Sequence, residues 1–279
     1  MKRTIVILSL LLAASVSVFA ATPVRKDTLK VLAIGNSFSQ DAVEQNLHEI
    51  AESYGKLVLI GNMYIGGCSL ERHYNNALSF NTDYYYRKLG AKGIKRESRG
   101  YTLGKALLDE EWDIITLQQC SGKSGLMDTY EPYLTGLVAF IQALCPKAEI
   151  LWHQTWAYAV DSDHPEFPAY DRDQMKMYEA IMAASSQVCG SYDFRVIPCG
   201  TAIQNLRATA DGDNCTRDGY HLNDVIGRYV AALTWYEVLF GGSVEGCTYL
   251  TEGLTPERAA LAQQSVDLAV EKPFEVSVK

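Results

Sequence analysis

The sequence predicts an α/β protein: a three-layer α/β/α sandwich around a central, mostly parallel sheet of five strands. Three observations point there. Short, almost purely apolar runs recur along the chain, as expected of strands buried on both faces. Stretches with helical spacing of apolar residues separate them. No repeat, low-complexity run or linker interrupts the alternation, so residues 21–279 read as one domain, with a core over about 28–245 and a C-terminal helix reaching 272.

The elements follow in order. Residues 31–34 form the first strand. Residues 39–54 form a helix with Ser39 as its cap and Ala42, Leu47, Ile50 and Ala51 on one side. Residues 57–60 are the second strand. The stretch 80–101, rich in Tyr, Lys, Arg and Gly, departs from the alternation and reads as a β-hairpin insertion. A short helix over 103–108 leads to a third strand at 112–117. A helix over 130–144 stops before Pro146, and 148–152 is the fourth strand. Residues 161–170 hold two prolines and read as a surface loop. Helix 171–188, strand 194–197, a long helix over 223–240 and a last helix over 256–270 complete the chain.

The first twenty residues are set apart. Met1-Lys2-Arg3, an apolar run to Phe19 and small residues ending at Ala20 form the pattern of a cleaved export signal. Residues 1–20 are therefore expected to be a signal peptide and the mature protein periplasmic or secreted. The run is short for a membrane span. The net charge of −8 becomes more negative once Lys2 and Arg3 are removed, which argues against nucleic acid or an anionic membrane as partner. Seven cysteines (68, 120, 145, 189, 199, 215 and 247) include no CxxC pair, and an odd number leaves at least one free. Most read as small buried hydrophobes.

Two short segments carry chemistry. Ser37 directly follows the first strand and precedes the first helix, where a backbone N–H can stabilise an oxyanion. A plain turn or capping serine fits the same place, but Ser39 is the better cap and leaves Ser37 free. Near the other end, Asp218-Gly219-Tyr220-His221 puts a carboxylate three residues before an imidazole. An Asp-Gly turn followed by a surface histidine is the plainer reading. Together the three residues are the parts of a Ser-His-Asp acyl-transfer triad. Metal chemistry is not indicated. Asp211-Gly212-Asp213 lacks the glycine and distal glutamate of a calcium loop, and no HExxH occurs. No cofactor loop precedes a helix.

With those residues in view, the chain resembles an SGNH (GDSL-type) hydrolase, within a group of exported bacterial proteins of largely unknown substrate. Gly35-Asn36-Ser37 resembles the first block, Gly-Asp-Ser. Ile65-Gly66-Gly67-Cys68-Ser69 resembles the second, with Gly67 the better match to its oxyanion glycine, and Asp218-Gly219-Tyr220-His221 resembles Asp-x-x-His. The resemblance implies a flavodoxin-like sheet, Ser37 as nucleophile, His221 as base, Asp218 as its support, and Ser37 and Gly67 as oxyanion donors. Asn36 stands where the family usually has Asp. The third block, Gly-x-Asn-Asp, is replaced by Leu117-Gln118-Gln119-Cys120-Ser121. Its oxyanion role is expected of Gln119, with Gln118 the alternative.

The implied activity is a serine esterase acting on small acyl esters, acetyl foremost, of carbohydrate. The alternatives are a lipid esterase or thioesterase, and a non-catalytic carbohydrate-binding protein on the same scaffold. His153 and Trp156 follow the fourth strand and are candidates for substrate contact, the tryptophan by stacking on a sugar; a packing role is the plainer choice. His73 is a further candidate, or a helix-surface histidine. Tyr84-Tyr85-Tyr86 is a candidate substrate wall or strand packing. His48 lies inside a helix and reads as structural.

Overall fold

The computed structural model describes residues 28–90, 93 and 95–277; the expected signal peptide lies outside the described residues. In chain order the elements are β1 (Leu29–Gly35), α1 (Ser37–Val43), α2 (Leu47–Ser53), β2 (Val58–Tyr64), α3 (Leu70–Ser79), β3 (Tyr84–Leu89), β4 (Lys95–Tyr101) and α4 (Leu103–Leu107). They continue with β5 (Ile114–Leu117), α5 (Tyr133–Leu144), β6 (Glu149–His153), α6 (Gln174–Tyr192), β7 (Val196–Ile197), α7 (Cys199–Arg207), α8 (Gly227–Phe240) and α9 (Pro256–Glu271).

One sheet runs β4-β3-β2-β1-β5-β6-β7. The five expected strands are its parallel part, β2-β1-β5-β6-β7. The expected hairpin is β3–β4, which does not stand apart but extends the sheet beyond β2 in antiparallel register, making seven strands. The parallel order reverses at β1, so the crevice beyond the carboxyl ends of β1 and β5 is where such sheets take ligands.

Burial explains why β1 reads as an unbroken apolar run. Val31 and Ala33 enter one core with α1, α2, α8 and α9, whereas Leu32 and Ile34 enter the other with α3, α4 and α5. Alternate residues face opposite layers, and both layers are buried. Helix α6 lies along the far edge, giving Met177 and Ile181 to the first core and Ala184 and Val188 to the second.

Several boundaries differ from expectation for physical reasons. The first helix begins at Ser37, and its cap is Asn36, whose Oδ1 accepts from the Phe38 N–H at 3.0 Å. Ser39 is inside the helix. The expected helix over 39–54 is two helices, broken at Asn46, which takes the positive φ of 71° that asparagine tolerates better than most residues. Helix α8 starts at Gly227 because the Asn223 side chain accepts from three successive backbone N–H groups, those of Val225, Ile226 and Gly227. Two helices were not expected at all. In α3 the buried face includes His73 and Asn76, and in α7 all nine residues are buried, so neither shows an apolar stripe.

All seven cysteines are unpaired thiols, five of them buried. Among the described residues no helix is long and apolar enough to cross a membrane.

Glu237 of α8 is buried, with Asp267 of α9 close by. Burial, and then the Asp267 carboxylate, raise its pKa to about 8. A carboxyl raised in this way favours the fold when protonated and weighs against it as pH climbs from the ordinary carboxylate range through about 8. Glu237→Gln should therefore raise the melting temperature at pH 8 and leave it nearly unchanged at pH 4. A thermal melt at both pH values checks this; equal shifts at the two would contradict it.

Candidate active site

The site is built at the end of β1. Gly35 closes the strand where side chains crowd it: a Cβ there would lie 2.6 Å from Ser39 Oγ and 2.8 Å from Gln118 Oε1. Asn36 follows, buried, and then Ser37, half-buried at the start of α1.

The orientation of the Asn36 amide follows from its partners. The Cys68 carbonyl can only accept, so Asn36 Nδ2 faces it, at 3.1 Å. Oδ1 then accepts from the Phe38 N–H and, at 3.1 Å, from Gln118 Nε2. That turns Gln118 Oε1 toward His153 Nδ1, at 2.8 Å, so Nδ1 carries the proton. His153 is wholly buried; burial lowers its pKa to about 3, and it is neutral. Its Nε2 is left without a hydrogen-bond partner among the described residues.

Cys68 belongs to the turn after β2, closed by Cys68 N–H on the Ile65 carbonyl at 3.2 Å. Gly67 has φ +60°, which glycine adopts without strain, and Gly66 and Gly67 are both exposed. The Asn36–Cys68 bond thus fastens this glycine turn to the turn bearing Ser37. Burial pushes the Cys68 thiol up to about 12 and the Cys120 thiol to about 11, so neither supplies a thiolate to rival Ser37.

The Asp-x-x-His loop is equally well fixed. Asp218 Oδ2 lies 2.7 Å from His221 Nδ1, and Oδ1 accepts from the backbone N–H groups of His221 (2.7 Å) and Tyr220 (3.3 Å). Burial raises the pKa of Asp218, but the bonds from His221 outweigh it and the net direction is down. The loop is anchored from below. Asp41 of α1, fully buried, accepts from the Leu222 N–H at 2.9 Å and pairs with Arg217 and Arg228. Trp156 Nε1 donates to the Tyr220 carbonyl at 2.8 Å, and the Phe38 ring lies 6.1 Å from His221. These contacts bring His221 beside the first turn of α1. With Nδ1 held by Asp218, Nε2 is the nitrogen available to Ser37; no hydrogen bond joins Ser37 Oγ to His221 among the described residues.

Four expectations need correction. Gln119 does not reach the site: its Oε1 accepts from Leu70 and Cys120 N–H groups, and both amide hydrogens go to Thr129, at 3.2 and 3.1 Å. Gln118 is buried too and supports Asn36 from behind. His73, expected to face the site or solvent, is fully buried against Tyr84, with Nδ1 2.8 Å from the tyrosine hydroxyl. Burial, then the Arg72 charge, lower its pKa to about 3. His153 and Trp156 are likewise without exposure, Trp156 packing edge-on against Phe38 at 4.2 Å, so neither can stack on a substrate. Sequence reasoning passed over Asp41, although a carboxylate between Phe38 and Ala42, both core residues, was a signal that something must pair with it.

A family described as "Domain of unknown function (DUF4886)" matches residues 30–269. The chain belongs to the DUF4886 family. A DUF4886 protein of known crystal structure from Bacteroides uniformis is 47% identical, with 90% of this chain and 98% of that chain covered and a TM-score of 0.88. A protein from Slackia heliotrinireducens provisionally described as an SGNH hydrolase aligns over 76% of this chain and 99% of its own, at 19% identity and a TM-score of 0.53. A protein from Parabacteroides merdae provisionally described as a GDSL-like lipase aligns over 76% and 95%, at 14% identity and a TM-score of 0.51. These distant likenesses are of fold: this DUF4886 chain has the SGNH-hydrolase fold. None of the curated proteins matches it in sequence.

Asn36 must donate as well as accept, which an ionised aspartate in its place could not do. Asn36→Asp should lose the bond to the Cys68 carbonyl and bury a carboxylate, lowering stability by about 1–3 kcal/mol. Urea denaturation at pH 7 measures it, and an unchanged midpoint would contradict the network as drawn.

Proposed function

We propose that this protein is a Ser-His-Asp esterase that removes small acyl groups, acetyl foremost, from carbohydrate, acting in the periplasm or outside the cell after its leader is cleaved near Ala20. The observation that carries the reading is the 2.7 Å Asp218–His221 pair, anchored on Asp41 so that the imidazole stands beside the turn bearing Ser37.

The chemistry implied by this reading is two-step acyl transfer. Ser37 Oγ attacks the ester carbonyl while His221 Nε2 takes its proton. Asp218 holds the tautomer with the proton on Nδ1 and supports the imidazolium as it forms. The N–H groups of Ser37 and Gly67 face the developing oxyanion. Collapse of the tetrahedral intermediate breaks the ester C–O bond, and His221 returns its proton to the leaving alcohol. Water, activated by His221, then releases the acid and restores Ser37.

The cavity beside Asp218, about 320 Å³, is polar, lined by Asp161, Asp163, Asn214, Thr216 and Arg217, and does not include Ser37, Gly67 or His221. A larger groove of about 780 Å³, bordered by Leu107, Trp112 and Leu144, lies at the opposite ends of the parallel strands. Commitment of the Gln119 amide to Thr129 favours a second reading, a glycan-binding protein without turnover, because it removes the expected third oxyanion donor.

Release of acetate from p-nitrophenyl acetate and from acetylated oligosaccharides by the mature protein tests the proposal. Ser37→Ala should abolish turnover, and Asp218→Asn should lower it by on the order of 10⁴-fold. Turnover surviving Ser37→Ala would overturn the assignment. Preference for long acyl chains would replace the small-acyl reading, and glycan binding without turnover would leave the binding protein.

A further inference from the structure

The end of the sheet beside Ser37 carries a row of residues that the catalytic reading does not use. Gly35 pairs with Tyr64 across β1 and β2, Tyr64 with Tyr85 across β2 and β3, and Tyr85 with Arg99 across β3 and β4. Paired residues share a face of a sheet. That face is the one covered by α1, because Asn62, two residues before Tyr64, accepts from Ser39 of α1 at 2.9 Å. The row therefore runs outward from the nucleophile turn along the carboxyl-end rim. Its inner end touches the oxyanion loop: the Tyr64 hydroxyl would lie 3.5 Å from a Cβ placed on Gly66.

The row is open and chemically distinct. Tyr64 and Tyr85 are half-buried, with ring centroids 6.2 Å apart, and the Arg99 side chain is 74% exposed. The Arg99 guanidinium lies 4.8 Å above the Tyr85 ring, and that of Arg87 lies 4.1 Å above the Tyr64 ring. Charge sets the region apart as well. Residues 84–101 contain six basic side chains and one acidic one, in a chain of net charge −8. The carboxylates on this face are Glu44 and Glu97. Glu44 pairs with Arg87 and Lys95, and Glu97 bonds Arg87 at 2.9 Å and Arg99 Nε at 3.4 Å. The two terminal nitrogens of Arg99 hold no partner among the described residues.

We propose that Tyr64, Tyr85 and Arg99 are the sugar-docking platform of the site and that they select an acidic carbohydrate, a chain of uronic acid rings carrying the ester. With ring faces taken by guanidinium groups, Arg87 over Tyr64 and Arg99 over Tyr85, the two tyrosine hydroxyls hydrogen-bond the hydroxyls of a pyranose ring, and the terminal nitrogens of Arg99 take its carboxylate as a charge-assisted pair. The acidic remainder of the surface repels such a polymer, which concentrates its approach on this edge. The inference rests on the esterase reading only for which ring carries the ester; binding can be measured without turnover.

Calorimetric titration of the Ser37→Ala protein with de-esterified tetragalacturonate, against neutral xylotetraose of the same length, tests it. The acidic ligand should bind at least tenfold more tightly than the neutral one. Adding Arg99→Ala should weaken the acidic ligand about tenfold, to the neutral level, and adding Tyr85→Ala should weaken both about fivefold. Lys176→Ala, on α6, should change neither. Because Arg99 is solvent-exposed, its variant should melt like the parent, which separates a lost contact from a lost fold. Equal binding of the two ligands, or an Arg99→Ala variant that binds like its parent, would overturn acid selection. Failure of both ligands to bind would overturn the platform. Either result stands apart from the esterase test, since Ser37→Ala protein turns nothing over.

Discussion

The buried side chain of Asn36 is the constraint on which the rest of the site depends. One amide caps α1, clamps the Gly66–Gly67 turn through the Cys68 carbonyl, and accepts the support of Gln118, the residue after β5. The relative placement of the Ser37 turn and the glycine turn is set by this single short side chain at the switch point of the sheet. Gln118 and His153 complete the line of hydrogen bonds, and every orientation along it is fixed by the Cys68 carbonyl, which has no choice of role. Such a network is costly when a member is missing and rigid when all are present.

Asp41 performs the matching task for the other half of the site. It is a carboxylate without exposure, and burial raises its pKa, opposed by Arg228, Arg217 and the other groups around it. Its bond to the Leu222 N–H ties the His221 loop to α1, the helix that begins with Ser37. Two polar struts, Asn36 and Asp41, five residues apart, therefore position three parts drawn from distant stretches of sequence. The flanks differ in charge: carboxylates border Asp218 on one side, and the basic hairpin lies beyond Tyr64 on the other.

Much of the fold was legible because β1, β5 and β6 are buried on both faces and read as apolar runs, and because the 80–101 stretch broke the alternation. The hairpin's attachment to β2 was not legible, since pairing partners leave no local mark. The Asp218–His221 pair was legible because an Asp-x-x-His loop puts a carboxylate within reach of the imidazole, here at 2.7 Å, and Ser37 was singled out by its place at the end of the first strand. The supporting residues were misread for one reason. His73, His153, Trp156 and Gln119 all sit near loops at the carboxyl ends of strands, and position in sequence says which rim a residue is near, not whether its side chain points out or in. All four point in, and each has a partner that fixes it: Tyr84, Gln118, the Tyr220 carbonyl and Thr129. Helix α7, buried all round, lacked the stripe by which a helix is read.

The measurement that bears most directly on this account is the crystal structure of the protein after reaction with an organophosphonate ester, whose tetrahedral phosphorus mimics the acyl-transfer intermediate. The account places phosphorus on Ser37 Oγ and one phosphonyl oxygen within hydrogen-bonding distance of the Ser37 and Gly67 N–H groups. His221 Nε2 should face the alkoxy oxygen, with the Asn36–Gln118–His153 line unchanged. Ser37 left unmodified while another serine carries the phosphonate, or a phosphonyl oxygen turned away from the Gly67 N–H, would contradict it.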